Sequence, residues 1–173
     1  MRALAFWKTI TMDQSNLLDQ LMALFSEHGT RFCVIGGQAV NAYAEPVVSL
    51  DLDLVVAAEQ LEEVESVLRR SFKVERFPNS LNVSLPDSDL RVQIQTDPRY
   101  ADFLERAELR SILGVQLPVA SLEDLLQGKV WAVQDPNRRP SKRQKDLADI
   151  ARLLESCPRL RDLVPAEIIK QLI

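Results

Sequence analysis

The sequence predicts an α/β (α+β) fold, a mixed sheet with flanking helices followed by a helical C-terminal segment. Three observations carry this. Helix-period and strand-period apolar runs alternate up to about residue 70, three strand-like runs follow in succession between residues 72 and 96, and beyond residue 121 the patterns are helical. Residues 1–120 are expected to form the core with its N-terminal helix, and residues 121–173 a helical segment packed on it as one unit. With 173 residues and 46% apolar content, the chain can bury one substantial core.

The first helix is expected from Asp13 to Glu27, where Leu17, Leu18, Leu21, Leu24 and Phe25 recur at helical spacing and Gly29 supplies a stop. "RFCVI", from Arg31, reads as a short buried strand ending at a Gly36-Gly37 turn. "QAVNAYA" then begins a helix that must stop before Pro46. "SLDLDLVVA" alternates Leu50, Leu52 and Leu54 against Ser49, Asp51 and Asp53, the period of a strand with one polar face. Glu59 to Arg70 reads as a helix with acids early and Arg69-Arg70 late, as the macrodipole prefers. "FKVERF", "LNVSL" and "LRVQIQT" read as strands, with turns at Pro78-Asn79 and Pro86-Asp87-Ser88. A short helix near Ala101 to Ala107 and an extended "VQLPVA" come next. Ser121 to Asp124 offers a capping-box-like start to a helix ending near Val133, and "DPNRRPS" is a loop. The last two helices are expected from about Lys142 to Glu155 and from about Pro165 to the end.

Composition narrows the function. A net charge of −4, with 27% charged residues, does not favour a nucleic-acid coat or a membrane surface, so any polyanion site must be local. Cys33 and Cys157 have neither metal-ligand spacing nor disulfide-scaffold density, which fits buried thiols in a reducing cytosol. "MRALAFW" is too short an apolar run for a signal peptide and no run reaches membrane-spanning length, so a cytoplasmic protein is expected.

Asp51 and Asp53 share one strand face with Cα atoms roughly 6.5–7 Å apart, so both side chains can lean toward one hard cation. Magnesium suits such a pair, because it takes one or two carboxylates together with phosphate oxygens. The competing reading is an acidic outer face. Asp is disfavoured in strands, yet it occurs twice here beside a Gly-Gly pair, which favours a site. Gly36 and Gly37, followed by a helix N-terminus, would present backbone N–H groups to phosphate. Lys129 falls within an apolar helical stripe of Leu122, Leu125, Leu126 and Val133. It is either a snorkelling stem or a buried ammonium with an anionic partner, a triphosphate or an aspartate. In the next helix Lys142, Asp146, Asp149 and Leu153 share an arc apart from the core stripe; they form either a second contact face or an exposed face with pairs such as Lys145–Asp149.

These residues resemble the nucleotidyltransferases of the DNA polymerase β superfamily, which read strand, Gly-Gly or Gly-Ser, helix, then Asp-x-Asp on the next strand. "LLQGKVWA" with Lys129 and "KDLADIARLL" with Asp146 and Asp149 further resemble the AbiEii-type nucleotidyltransferases, many of them toxins of toxin–antitoxin pairs. The resemblance spans about Phe32 to Leu154. It implies a nucleotidyltransferase core, Mg2+ as cofactor and an NTP as substrate. It also implies an RNA or protein hydroxyl as acceptor and an antitoxin as partner. Metal would be held by Asp51 and Asp53, the catalytic set would be Asp51, Asp53, Lys129 and Asp146, and the nucleotide-binding set Gly36, Gly37, Gln38, Ser49 and Lys129. The family pattern supplies a third carboxylate from a neighbouring strand, where this chain has Gln93, an amide that takes no proton at neutral pH. Asp89, Asp146 and Asp149 are the candidate substitutes. The basic run "RRPSKRQK", Arg138 to Lys145, is a solvated helix start or a path for an RNA acceptor. The alternative to an enzyme is a catalytically weakened nucleotide-binding module of the same fold; a third class, an adaptor, requires the acidic pair to be accidental.

Overall fold

The computed structural model describes residue 5 and residues 16–112 and 114–172. The part of the first expected helix before Asn16 lies outside these residues. Helix α1, Leu17–Glu27, buries Leu17, Leu18, Leu21 and Phe25. It ends where Gly29 adopts φ +58° and the Thr30 amide donates to the Phe25 carbonyl, a conformation that glycine adopts without Cβ strain.

The remaining strands are β1 (Phe32–Ile35), β2 (Asp51–Val56), β3 (Lys73–Phe77), β4 (Ser80–Ser84), β5 (Arg91–Gln95), β6 (Glu108–Ile112) and β7 (Val115–Val119). They form one mixed sheet in the order β3-β4-β5-β2-β1-β7-β6. β2 runs antiparallel to β1 and parallel to β5, a parallel pairing reached through helix α3, Leu61–Ser71, and then the antiparallel strands β3 and β4. On β2, Leu52 and Leu54 are fully buried while Asp51 and Asp53 face the opposite side. A one-residue slip would bury both carboxylates and expose two leucines, each worth about 1.5–3 kcal/mol when buried, so the register is strongly specified.

Helix α2, Gly36–Val40, is followed by helices α4 (Leu122–Gln134), α5 (Pro140–Ser156) and α6 (Ala166–Ile169). α2 packs on β2, α4 and α5, and α4 packs along α5. The Ser121 hydroxyl accepts from the Asp124 amide at 3.2 Å and Arg106 grips the Asp124 carboxylate at 2.8 and 2.9 Å, which fixes the start of α4.

Several expectations shift. The two glycines are the first residues of α2, not a turn ahead of it, and the helix stops at Val40. The short helix is a 3-10 segment, Pro98–Leu104, set earlier by Pro98 and by the Asp97 carboxylate accepting from the Arg99 amide. β6 was not legible: it is a sheet edge, "ELRSI", that buries only Ile112 and leaves Leu109 exposed, lacking the alternation that marks a half-buried strand. α5 starts at Pro140, shortening the loop, a further 3-10 segment occupies Pro158–Leu163, and α6 is one turn rather than a helix to the end. Among the described residues no helix is long and apolar enough to cross a membrane. Both cysteines are free, and burial pushes the Cys33 thiol up to about 12.

Candidate functional site

Asp53 stands in register with Ile35 of β1 on one side and Gln93 of β5 on the other. The row continues through Asn82 to Glu75, so Asp53, Gln93, Asn82 and Glu75 form a polar line across the sheet. Two cavities meet at this line. One, of about 300 Å³, is walled by Tyr100, Phe103 and Trp131 with Asn79 and Gln95; the other, of about 360 Å³, is walled by Asp51, Arg91, Lys142 and Lys145. Asp53, Gln93, Lys129, Arg138 and Asp146 line both.

Gly36 is required here. It adopts φ +69°, and a Cβ on it would overlap the Asp53 carboxylate. The first glycine therefore makes room for the second aspartate. Gly37 has ordinary space, since a Cβ there would meet Lys145 Cε at 3.8 Å and Asp149 Oδ2 at 3.9 Å.

Asp51 is surrounded by cations. Arg91 Nε lies 3.1 Å from Oδ1, and Lys142 Nζ and Lys145 Nζ lie 3.1 and 3.9 Å from Oδ2. Asp53, half-buried, forms no ion pair among the described residues. Burial raises its carboxyl above the ordinary value, Lys129 pulls the other way, and the neighbouring Asp51 charge adds to the rise.

Lys129 settles between two aspartates. Its ammonium lies 2.9 Å from Asp146 Oδ1 and 2.6 Å from Asp149 Oδ2. Burial pulls the ammonium down, but Asp149 and Asp146 outweigh it and hold it above the ordinary lysine value. Arg138 takes the other Asp146 oxygen at 2.8 Å, while Arg152 reaches Asp149 Oδ1 at 2.8 Å and the Asn41 carbonyl oxygen of the side chain at 2.7 Å. Of the two readings of Lys129, the buried ammonium with aspartate partners is therefore the observed one. The arc holding Asp146 and Asp149 is buried, not an exposed face, and Lys145 turns to Asp51 and Ser49 rather than to Asp149.

The cleft thus brings together Gly36, Gly37, Asp51, Asp53, Gln93, Lys129 and Asp146, with Asp149 beside them. It does not bring in Asp89, which is exposed ahead of β5 because the strand begins only at Arg91. Gln38 is buried, its Nε2 donating to the Ser49 carbonyl at 3.0 Å; neither Gln38 nor Ser49 lines the cavities. The basic run adjoins the cleft: Arg138, Lys142 and Lys145 line it and Arg143 donates to the Asp135 carbonyl at 2.9 Å. Sequence reasoning missed Arg91 and Arg152. Arg91 had a signal, being two residues from Gln93 on the same strand face, whereas Arg152 reads as an ordinary helix-surface cation.

The donors fit a small hard cation. Two carboxylates share a face, and one is disfavoured as an anion by burial and by its neighbour, an arrangement that a cation between them relieves. Among the described residues no group of three or more His, Cys, Asp or Glu side chains is placed to hold a metal. Any further ligands would come from a bound substrate or water.

The family described as "Nucleotidyl transferase AbiEii toxin, Type IV TA system" matches residues 17–172. No curated protein matches by sequence. Among solved structures the chain is similar to ANT(2'')-Ia in complex with adenylyl-2''-tobramycin, at 16% identity and TM-score 0.63, covering 92% of this chain and 99% of that one. It is also similar to the lincosamide antibiotic adenylyltransferase LnuA, lincomycin-bound, at 14% identity and TM-score 0.55, covering 79% of this chain and 95% of that one. The Megavirus polyadenylate synthase matches at 14% identity and TM-score 0.54, over 85% of this chain and 32% of that one. At these identities the structures establish a shared nucleotidyltransferase fold.

Proposed function

From the premise that this chain belongs to the AbiEii nucleotidyl transferase toxin family, and so is a nucleotidyltransferase, we propose that it moves a nucleoside monophosphate from an NTP to a hydroxyl of RNA or protein. In this reading the acceptor hydroxyl oxygen bonds to the α-phosphorus as its proton passes to water, the bond from that phosphorus to the bridging oxygen breaks, and pyrophosphate leaves. The observation that carries the proposal is the cleft itself: the Asp51–Asp53 pair, accommodated by Gly36, stands where a cationic chamber meets an aromatic one.

Asp51 and Asp53 would hold Mg2+, which supplies charge neutralisation at the transferring phosphate. Five cations, Arg91, Lys129, Arg138, Lys142 and Lys145, face four carboxylates in the cationic chamber, leaving local positive charge in a chain of net −4. That imbalance suits a polyanion. Lys129, locked by Asp146 and Asp149, would present a fixed cation to charge developing on the phosphoryl group. Asp146 then acts by positioning Lys129, since both its oxygens are engaged by cations. Gln38 and Ser49 would support the wall behind the nucleotide rather than touch it. Residues 1–120 serve as the core and residues 121–173 as the helical segment that supplies Lys129 and the basic wall. An antitoxin is the proposed protein partner and the cytoplasm the proposed location.

Gln93 favours the second reading, a nucleotide-binding module with weakened transfer, because it puts an amide in register with Asp53. The test is incubation with each NTP labelled at the α-phosphate together with cell lysate. Label that moves to a nuclease-sensitive or protease-sensitive product supports transfer and identifies the acceptor class. NTP binding without label transfer supports the second reading.

A further inference from the structure

The basic start of α5 poses a question. Arg138, Arg139, Lys142, Arg143 and Lys145 crowd a helix N-terminus, where cations repel one another and oppose the macrodipole. Two of them are drawn to the same acid on another element. Lys142 and Lys145 approach Asp51 Oδ2 at 3.1 and 3.9 Å, and Arg91 approaches Oδ1 at 3.1 Å from the neighbouring strand. Both oxygens of a candidate metal ligand are therefore taken by protein cations.

These three cations differ from Lys129 in freedom. The side chains of Lys142, Lys145 and Arg91 are 38%, 43% and 67% exposed, against 10% for Lys129. They can leave Asp51 for another anion; Lys129, held by two buried aspartates, cannot. They also line one chamber together, beside Asp53. A bare divalent cation entering that chamber meets both occupied Asp51 oxygens and three like charges. A polyphosphate meets three cations that share, among the described residues, a single carboxylate as their anionic partner, Lys145 also donating to the Ser49 hydroxyl at 3.3 Å.

We propose that Arg91, Lys142 and Lys145 form a polyphosphate clamp which closes on Asp51 in the empty protein, so that binding of a polyphosphate is what releases Asp51 to a divalent cation. The proposal rests on the nucleotidyltransferase reading of the same site. It makes metal and substrate bind as a unit: each raises the affinity for the other by the same factor, because the clamp cannot serve Asp51 and the polyphosphate at once. In the absence of substrate the site discriminates against free metal.

The test uses the intact chain and two probes, Mn2+ alone, followed by its paramagnetic resonance signal, and inorganic tripolyphosphate in chelator, followed by calorimetry. In Lys142→Gln the two affinities should move in opposite directions: tripolyphosphate about tenfold weaker, because a clamp cation is lost, and Mn2+ about threefold to tenfold tighter, because Asp51 Oδ2 is freed. Arg139→Gln, a neutralisation on the same segment at a residue that forms no ion pair among the described residues, should change both by less than about twofold. A fall in both affinities, with melting unchanged, would mean that Lys142 only shapes the chamber and would overturn the proposal. So would an unchanged Mn2+ affinity, or equal changes in the Arg139→Gln control. If the unmodified chain binds neither tripolyphosphate nor Mn2+ with tripolyphosphate, the nucleotidyltransferase reading itself fails.

Discussion

Two groups of charged residues stand side by side in this molecule and are built on opposite terms. On α4 and α5, Lys129, Asp146, Asp149, Arg138 and Arg152 form a network in which each of the two aspartates is gripped by two cations. On β2 and β5, Asp51 is held only by half-exposed side chains and Asp53 forms no ion pair among the described residues. Every charge of the helical network has an ionic partner, although the buried Asp149 Oδ2 and Arg152 Nε make no geometrically regular hydrogen bond among the described residues. At the strand site the half-buried Asp53 has no ionic partner among the described residues, and a partly desolvated anion is costly unless something else binds there. The difference separates side chains already fixed by one another, Lys129 among them, from side chains that await a substrate.

The largest expected effect comes from breaking the complete network. Lys129→Met leaves two buried carboxylates with one cation each and should destabilise the fold by about 3–5 kcal/mol, read as a shifted denaturant midpoint. A loss below about 1 kcal/mol would mean that Arg138 and Arg152 satisfy the aspartates unaided, and the contrast between the regions would shrink.

Next come the glycines. Gly36→Ala forces φ +69° on a residue with a Cβ and drives that Cβ into the Asp53 carboxylate, so it should cost about 1–3 kcal/mol and displace Asp53. Gly37→Ala meets only ordinary contacts and should stay within about 0.5 kcal/mol. Equal melting shifts in the two variants would contradict the role given to Gly36.

Gln93→Asp sharpens the strand side. It places a carboxylate in register with Asp53 and should raise transfer by about tenfold, below the usual range for a general base because the surrounding groups are not arranged for it. An unchanged initial rate, with NTP binding intact, would show that proton removal does not limit the reaction.

The smallest effect is in pH. Asp53 is raised, so its protonated form is favoured on folding: that contribution is full below the unfolded value and lost as pH rises through the folded one. Acid should therefore weaken metal-dependent NTP binding while this residue does not destabilise the fold; burial is the main cause of the rise, Lys129, Lys145 and Lys142 oppose it and Asp51 adds to it. Lys129 is also raised, so its own titration contributes fully below the ordinary lysine value and that contribution is lost as pH rises through the folded one. Paired affinity and melting titrations check this separation; unfolding and ligand loss at the same acid pH would remove it.

The sequence made one region more legible than the other. Alternation on β2 placed Asp51 and Asp53 together, because strand period is local, and the parallel partner's Gln93 followed from the family pattern. The network was half visible. Helical periodicity put Lys129 in an apolar stripe and Asp146 and Asp149 on one arc, but their meeting depends on how α4 lies along α5, which no local pattern records. The same gap hid the contact partners of the basic run: that Lys142 and Lys145 reach across to Asp51 on β2 depends on tertiary packing, not on any local pattern. Asp89 failed for a smaller reason: the strand begins two residues later than a regular period would allow.

Asp53→Asn tests the division most directly. The amide keeps the shape beside Gly36 and removes the charge, so calorimetry with a magnesium–NTP complex should show affinity reduced by at least about tenfold while the melting temperature holds or rises. Unchanged magnesium-dependent affinity, or a melting temperature lowered as far as in Lys129→Met, would contradict the assignment of the strand carboxylates to substrate and of Asp146 and Asp149 to the structural support of Lys129.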